Sequence, residues 1–156
     1  MARRAIIARM VGNNLLQVLE ITNFFSIRAT QRIDVRIGGG APPDPDRLAE
    51  DVRGTKVRVP RVVALFGPNG AGKSTVLKAL NFVVSFARDS FQWTAGQPLP
   101  IVPFNDGEAS SVPSSFAVEF GGPYEVNEQN VAISRAVYRY ELEIRAEVVR
   151  ESLTCK

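Results

Sequence analysis

The residues best suited to chemistry lie in one run, Gly67-Pro68-Asn69-Gly70-Ala71-Gly72-Lys73-Ser74-Thr75. Its spacing, G-x-x-x-x-G-K-[ST], is that of a phosphate-binding loop (a P-loop, or Walker A segment) when a strand precedes it and a helix follows. Both are expected here. The apolar run Val62-Val63-Ala64-Leu65-Phe66 comes immediately before, and a helical pattern starts near Lys73. The glycines let the backbone turn so that successive N–H groups converge on one anion. The helix N-terminus adds its unpaired donors and the positive end of its dipole. Lys73 is expected to reach the β- and γ-phosphates of a nucleotide, and the Ser74 hydroxyl to bind Mg²⁺. A turn that merely joined strand to helix would not need Gly72, Lys73 and Ser74 together, so phosphate binding is the stronger reading.

The elements that must position this loop can be read along the chain. Residues 1–14 read as a loose tail, with Met10 as an alternative start; Arg9 interrupts the apolar stretch Ala5–Ala8, which argues against a secretory signal. Leu15 to Phe24 is a mostly buried strand. Thr30 to Ile37 alternates Ile33, Val35 and Ile37 against Arg32, Asp34 and Arg36, the pattern of a half-exposed strand antiparallel to the first. Gly38 to Asp46, GGGAPPDPD, reads as an exposed loop. A weak helical turn is expected over Arg47–Val52, then a short strand over Lys56–Val59 halted at Pro60, with Arg61 opening the strand that leads into the P-loop.

After the loop, Ser74, Lys78, Asn81, Ser85 and Arg88 form a polar stripe at helical spacing, opposite Val76, Leu77, Leu80, Val83, Val84 and Ala87. Such a helix needs a sheet to cover its apolar face, and Val62–Phe66 is the expected partner. Asp89-Ser90 end it, and Phe82 and Phe86, one turn apart, read as packing residues. Gly96 to Ser115 carries Pro98, Pro100, Pro103 and Pro113 and reads as a long loop, of a length that is uncommon inside a compact domain and is either functional or a surface excursion. Strand patterns follow at Phe116–Phe120 and Val137–Ile144, with Val148–Leu153 a third strand or a short helix. They read as an antiparallel meander over 116–156. The expected fold is therefore mixed α/β: a single P-loop domain over 15–156, with a lobe at 15–90 and an added antiparallel β layer.

Composition narrows the classes. The 156 residues, 45% hydrophobic and 22% charged, suit one domain with a real core. A net charge of +3 carries no claim of nucleic-acid or membrane binding. No apolar run approaches the ~18 residues of a membrane span. The lone Cys155 offers neither a disulfide framework nor zinc spacing, which suits a reducing cytosol. A GTPase reading fails because Asn-Lys-x-Asp is missing and the Asp51–Gly54 segment precedes the P-loop rather than following it.

Two stretches resemble one group of P-loop proteins, the ABC-class ATPases of the SMC/RecF type. Ile21-Thr22-Asn23-Phe24 matches the strand ending in Asn-Phe with which they open, and Gly67–Ser74 matches their G-x-N-G-[AS]-G-K-[ST]. Leu77-Lys78-Ala79-Leu80 is similar to their next helix. Phe116-Ala117-Val118-Glu119-Phe120, Tyr138-Arg139-Tyr140 and Glu151-Ser152-Leu153 resemble segments of the RecF/OLD-like AAA-family ATPases, many of them tied to phage defence. The resemblance implies ATP and Mg²⁺ as cofactors and the ABC-type N-terminal lobe as the fold. It implies a cytoplasmic protein, homodimerisation through sandwiched nucleotides, and DNA as a candidate target. Family members place a basic residue after Asn-Phe; this chain has Phe25, with Arg28 the nearby substitute. Hydrolysis in the class also uses a Ser-Gly-Gly signature, a Walker B strand ending in Asp-Glu and, in most members, a switch His. This sequence contains none of the three, and Glu141 and Glu143 lie on an amphipathic strand, so no catalytic residue is assigned. The expectation is the N-terminal portion of a longer ATPase, set against a non-hydrolysing nucleotide-binding module or a non-functional truncated reading frame.

Overall fold

The structure, a computed structural model, describes residues 15–38, 47–50, 57–94, 97–107, 111–128 and 132–156. The expected tail at 1–14 and most of the loop at 38–46 lie outside these residues. The described chain forms β1 (Leu16–Thr22), β2 (Gln31–Asp34), β3 (Leu48–Glu50), β4 (Arg58–Pro60), α1 (Lys73–Asp89), β5 (Ser114–Val126), β6 (Ala132–Ile144) and β7 (Val148–Cys155). Five strands make one antiparallel sheet in the order β2-β1-β5-β6-β7, and β3 pairs with β4 separately.

The sheet has one apolar and one charged face, as period-two alternation dictates. Leu19 and Ile21 of β1, Phe116 and Val118 of β5, and Leu142 and Ile144 of β6 form the inner face. Helix α1 lies on it through Ala79, Phe82, Val83 and Phe86. Aromatic rings fill the space between. Phe24 meets Phe116 edge-on at 5.1 Å, Phe82 lies 5.3 Å from Phe116, and Trp93 closes the far end 5.6 Å from Phe86.

The outer face carries an ion network. Arg139 donates from Nη2 to Glu20 at 2.7 Å, from Nη1 to Glu119 at 3.1 Å and from Nε to Glu141 at 2.8 Å. Glu119, almost wholly buried, is also paired with Lys156, and Arg36 stands 3.6 Å away. Arg32 pairs with Glu20, and Arg36 clasps Asp34. Hydrogen bonds from Arg36 pull the Asp34 carboxyl from its ordinary 3.8 to about 2. Arg139 lowers Glu20 and Glu141. Burial pushes Glu119 up, but Lys156 and Arg139 together outweigh it and the net direction is down. Groups whose folded pKa lies below the unfolded value stabilise the fold above the unfolded pKa and lose that contribution as pH falls through the folded one. The thermal midpoint is therefore expected to be flat from pH 6 to 8, where a chain without His titrates little, and to fall steadily from about pH 5 towards pH 2. Circular dichroism melts across that range check it; an unchanged midpoint at pH 3 would contradict the network.

Several expectations are corrected. Within the helical turn expected over Arg47–Val52, Leu48–Glu50 is instead β3, held by β4 in the register Leu48↔Pro60, Ala49↔Val59, and residues 51 and 52 lie outside the described residues. Ala49 and Val59 are buried together, and that pairing overrides weak local helix preference. Val62–Phe66 forms no strand, and α1 packs on the five-stranded sheet rather than on it. The buried face of α1 is Thr75, Ala79, Phe82, Val83 and Phe86, whereas Leu77, Val84 and Ala87 are exposed. The strands at 116–120 and 137–144 are longer than expected. β5 and β6 run thirteen residues each because β6 pairs along almost the whole of β5. The strand reading of 148–153 holds, since these residues lie within β7. Other expectations hold: β1 and β2 are antiparallel, α1 starts at Lys73 and ends at Asp89, and Phe82 and Phe86 sit in the core.

Candidate functional site

Gly67 to Thr75 runs from an irregular segment into the first turn of α1. Gly70 and Gly72 hold φ of +83° and +84°, conformations that side chains with a Cβ rarely adopt. Ala71 N–H donates to the Pro68 carbonyl at 3.3 Å, closing the turn, and Gly72 is the N-cap, its carbonyl accepting the first helical bond from Val76 N–H at 3.1 Å. No side chain caps α1 and no acidic residue stands in its first turn. The N–H groups that lead the helix therefore have no carbonyl ahead of them and no competing carboxylate, which is what an anion requires.

Lys73 folds back over the loop. Its Nζ donates to the carbonyls of Gly67 at 2.8 Å and Pro68 at 2.7 Å, so the ammonium is held at the mouth of the turn, with no acidic partner among the described residues. Ser74 is exposed, its hydroxyl open to solvent-side ligands. Thr75 is buried, and its Oγ1 lies 2.8 Å from Ser26 Oγ. All nine residues assigned to the site from sequence thus fall in one continuous turn, with Lys73, Ser74 and Thr75 pointing three ways: over the loop, outward, and into the fold.

The segment before the loop behaves differently from its expectation. Val62 is 83% exposed and Phe66 91%, and Val63 and Leu65 are also open. No backbone hydrogen bond involves 62–66 among the described residues. An unbroken apolar run has the signature of a strand covered on both faces, and the described chain supplies neither face. Leu77 and Val84, seven residues apart on α1, are exposed in the same way. Arg28, the substitute for a basic residue after Asn-Phe, is placed 2.8 Å from Asp106 in an ion pair. Phe25 instead lies under Lys78, whose Nζ stands 4.2 Å from the ring centroid.

Two residues next to the site gave little sign of themselves in the sequence. Ser26 is an ordinary loop residue by type. Asn23 stood out as half of an Asn-Phe pair, but its hydrogen bonds depend on chain more than eighty residues away. Among the described residues there is no cluster of three His, Cys, Asp or Glu side chains able to hold a metal ion. No helix among them is long and apolar enough to cross a membrane.

A glycine-rich turn leading into one helix, beside an antiparallel sheet, is a mixed α/β arrangement compatible with part of a P-loop NTPase fold. The family model described as "AAA domain, putative AbiEii toxin, Type IV TA system" matches residues 62–155, well over half of the chain, and the chain belongs to that family. Membership places it in the AAA-type ATPase superfamily, whose members bind nucleotide and usually use Mg²⁺. Neither a curated protein nor a solved structure matches the chain.

Proposed function

We propose that Gly67–Thr75 is a Walker A loop that binds Mg-ATP, and that this chain is the N-terminal portion of an ABC-class ATPase of the RecF/OLD-like kind. The observation that carries the reading is the conjunction at one turn: left-handed Gly70 and Gly72, an uncapped and acid-free helix start, and the Lys73 ammonium held over the loop by two carbonyls. Backbone N–H groups would hold the phosphates, Lys73 would move from its carbonyls to the β- and γ-phosphates, and Ser74 would bind Mg²⁺.

The unpaired, exposed run Val62–Phe66 and the bare Leu77 and Val84 support the view that further strands and helices cover this side in the working protein. Those elements would bring the Walker B and signature residues needed for ATP hydrolysis, and two such protomers would sandwich two nucleotides. A cytoplasmic setting, a DNA target and a role in phage defence are further parts of the proposal, taken from the resemblance to SMC/RecF/OLD-like proteins. The family description adds a toxin–antitoxin context. The test is the shift in thermal midpoint with Mg-ATP, set against the same measurement on Lys73→Ala; equal shifts would sink the site assignment.

A further inference from the structure

The connection from β1 to β2 is strained and held from two sides, by the segment after α1 on one and by the start of α1 on the other. Asn23 and Phe25 have φ of +51° and +48°, a region that non-glycine residues seldom occupy and bulky ones least of all. Such conformations persist where surrounding structure fixes them, and they gather at clamps and switch regions. Here the fixing groups belong to the proline-rich stretch that follows α1. The buried Asn23 side chain accepts from Phe104 N–H at 2.9 Å and donates to the Val112 carbonyl at 2.7 Å. Its own carbonyl accepts from Ser114 Oγ at 2.5 Å. Phe25 N–H donates to the Val102 carbonyl at 2.8 Å, and Arg28 pairs with Asp106.

The other side of the same turn touches α1. Ser26 Oγ lies 2.8 Å from Thr75 Oγ1, and a Cβ added to Gly72 would stand 3.8 Å from that same oxygen. Lys78, one helical turn beyond Ser74, covers the Phe25 ring. The turn is thus wedged between the last residues of the candidate phosphate loop and the segment 102–106. Its polar links are hydrogen bonds and one ion pair, and Phe24 and Ile27 anchor it in the core.

We propose that Ser26 is a positioning residue of the nucleotide site, and that the Asn23–Arg28 turn carries nucleotide occupancy from Thr75 to the 102–106 segment. The proposal rests on the nucleotide reading of Gly67–Thr75. A phosphate bound to the leading N–H groups of α1 restrains the backbone at Ser74 and Thr75. Restraint of Thr75 fixes its hydroxyl, and with it Ser26. A turn held at Ser26 can no longer relax its two left-handed residues, so the bonds it shares with Val102 and Phe104 open less often.

The experiment is amide hydrogen exchange at Phe104, followed by NMR with and without Mg-ATP at a concentration saturating for each variant. In the wild-type chain saturating Mg-ATP is expected to slow exchange at Phe104 by about fivefold. Ser26→Ala should lose that dependence although nucleotide is bound, and Ser26→Thr, which keeps a hydroxyl, should recover it. A role in packing alone would raise exchange equally with and without nucleotide. Bound Mg-ATP that leaves Phe104 exchange unchanged in the wild type, or slows it equally in Ser26→Ala, overturns the coupling while leaving the binding reading intact. Absence of any Mg-ATP binding overturns both.

Discussion

Mg-ATP is expected to raise the thermal midpoint of the wild-type chain and to move that of Lys73→Ala far less. The size of the effect follows from linkage. A ligand at about one hundred times its dissociation constant stabilises the state that binds it by ~2.7 kcal/mol. For a chain of this length each kcal/mol moves the midpoint by roughly 2–4 °C, so a shift of about 5–10 °C is expected. Lys73→Ala removes an ammonium held over the loop. A charge-assisted hydrogen bond is worth about 1.5–3 kcal/mol, which at the same concentration cuts the stabilisation to roughly 0.3–1.3 kcal/mol. The substitution itself should cost little in the absence of nucleotide, because the Gly67 and Pro68 carbonyls it frees belong to exposed residues and find water. A large fall in the unliganded midpoint would mean that Lys73 serves the fold rather than the ligand.

Phe24→Ala is expected to be the most damaging single change to the fold. Phe24 is 1% exposed and sits where the end of β1, the strand β5 and helix α1 meet, with its ring against Phe25, Phe82 and Phe116. Removing a buried phenyl ring costs about 3–5 kcal/mol, from lost transfer energy and the cavity left behind. That corresponds to a drop in midpoint on the order of 10 °C. Phe66→Ala provides the contrast. A reading from sequence would bury both rings, yet Phe66 is 91% exposed and its removal should change stability by no more than about 0.5 kcal/mol. Denaturant melts of the two variants decide the matter, and comparable losses would mean that Phe66 is covered in solution.

That contrast also marks the limit of what the chain's sequence discloses. The shape of the Gly67–Thr75 turn was legible because its requirements are local. Positive φ at Gly70 and Gly72, a helix beginning at Lys73 and a lysine that can fold back over its own turn all follow from nine consecutive residues. The strands β1 and β2 were legible in place and direction, and the alternation at Ile33, Val35 and Ile37 matches their exposure, but β2 stops at Asp34 rather than running to Ile37. Partners were not legible. Val62–Phe66 has the composition of a central strand, but a strand exists only through its neighbours, and no described residue pairs with it. The apolar side of α1 was wide enough to predict burial and too wide to say which half is buried. The sheet took Ala79, Phe82, Val83 and Phe86 and left Leu77 and Val84 bare. β3 needed β4, and Ser26 needed Thr75 forty-nine residues on.

The most direct test of the central claim is an equilibrium titration of the chain with Mg-ATP and with AMP. If Gly67–Thr75 reads phosphates, the β- and γ-groups supply most of the affinity, through Lys73 and the leading N–H groups of α1. AMP should then bind at least about one hundred-fold more weakly than Mg-ATP, a difference of ~2.7 kcal/mol, and Lys73→Ala should bring ATP down towards AMP. Equal affinity for ATP and AMP, or an ATP affinity that Lys73→Ala leaves unchanged, would contradict the account.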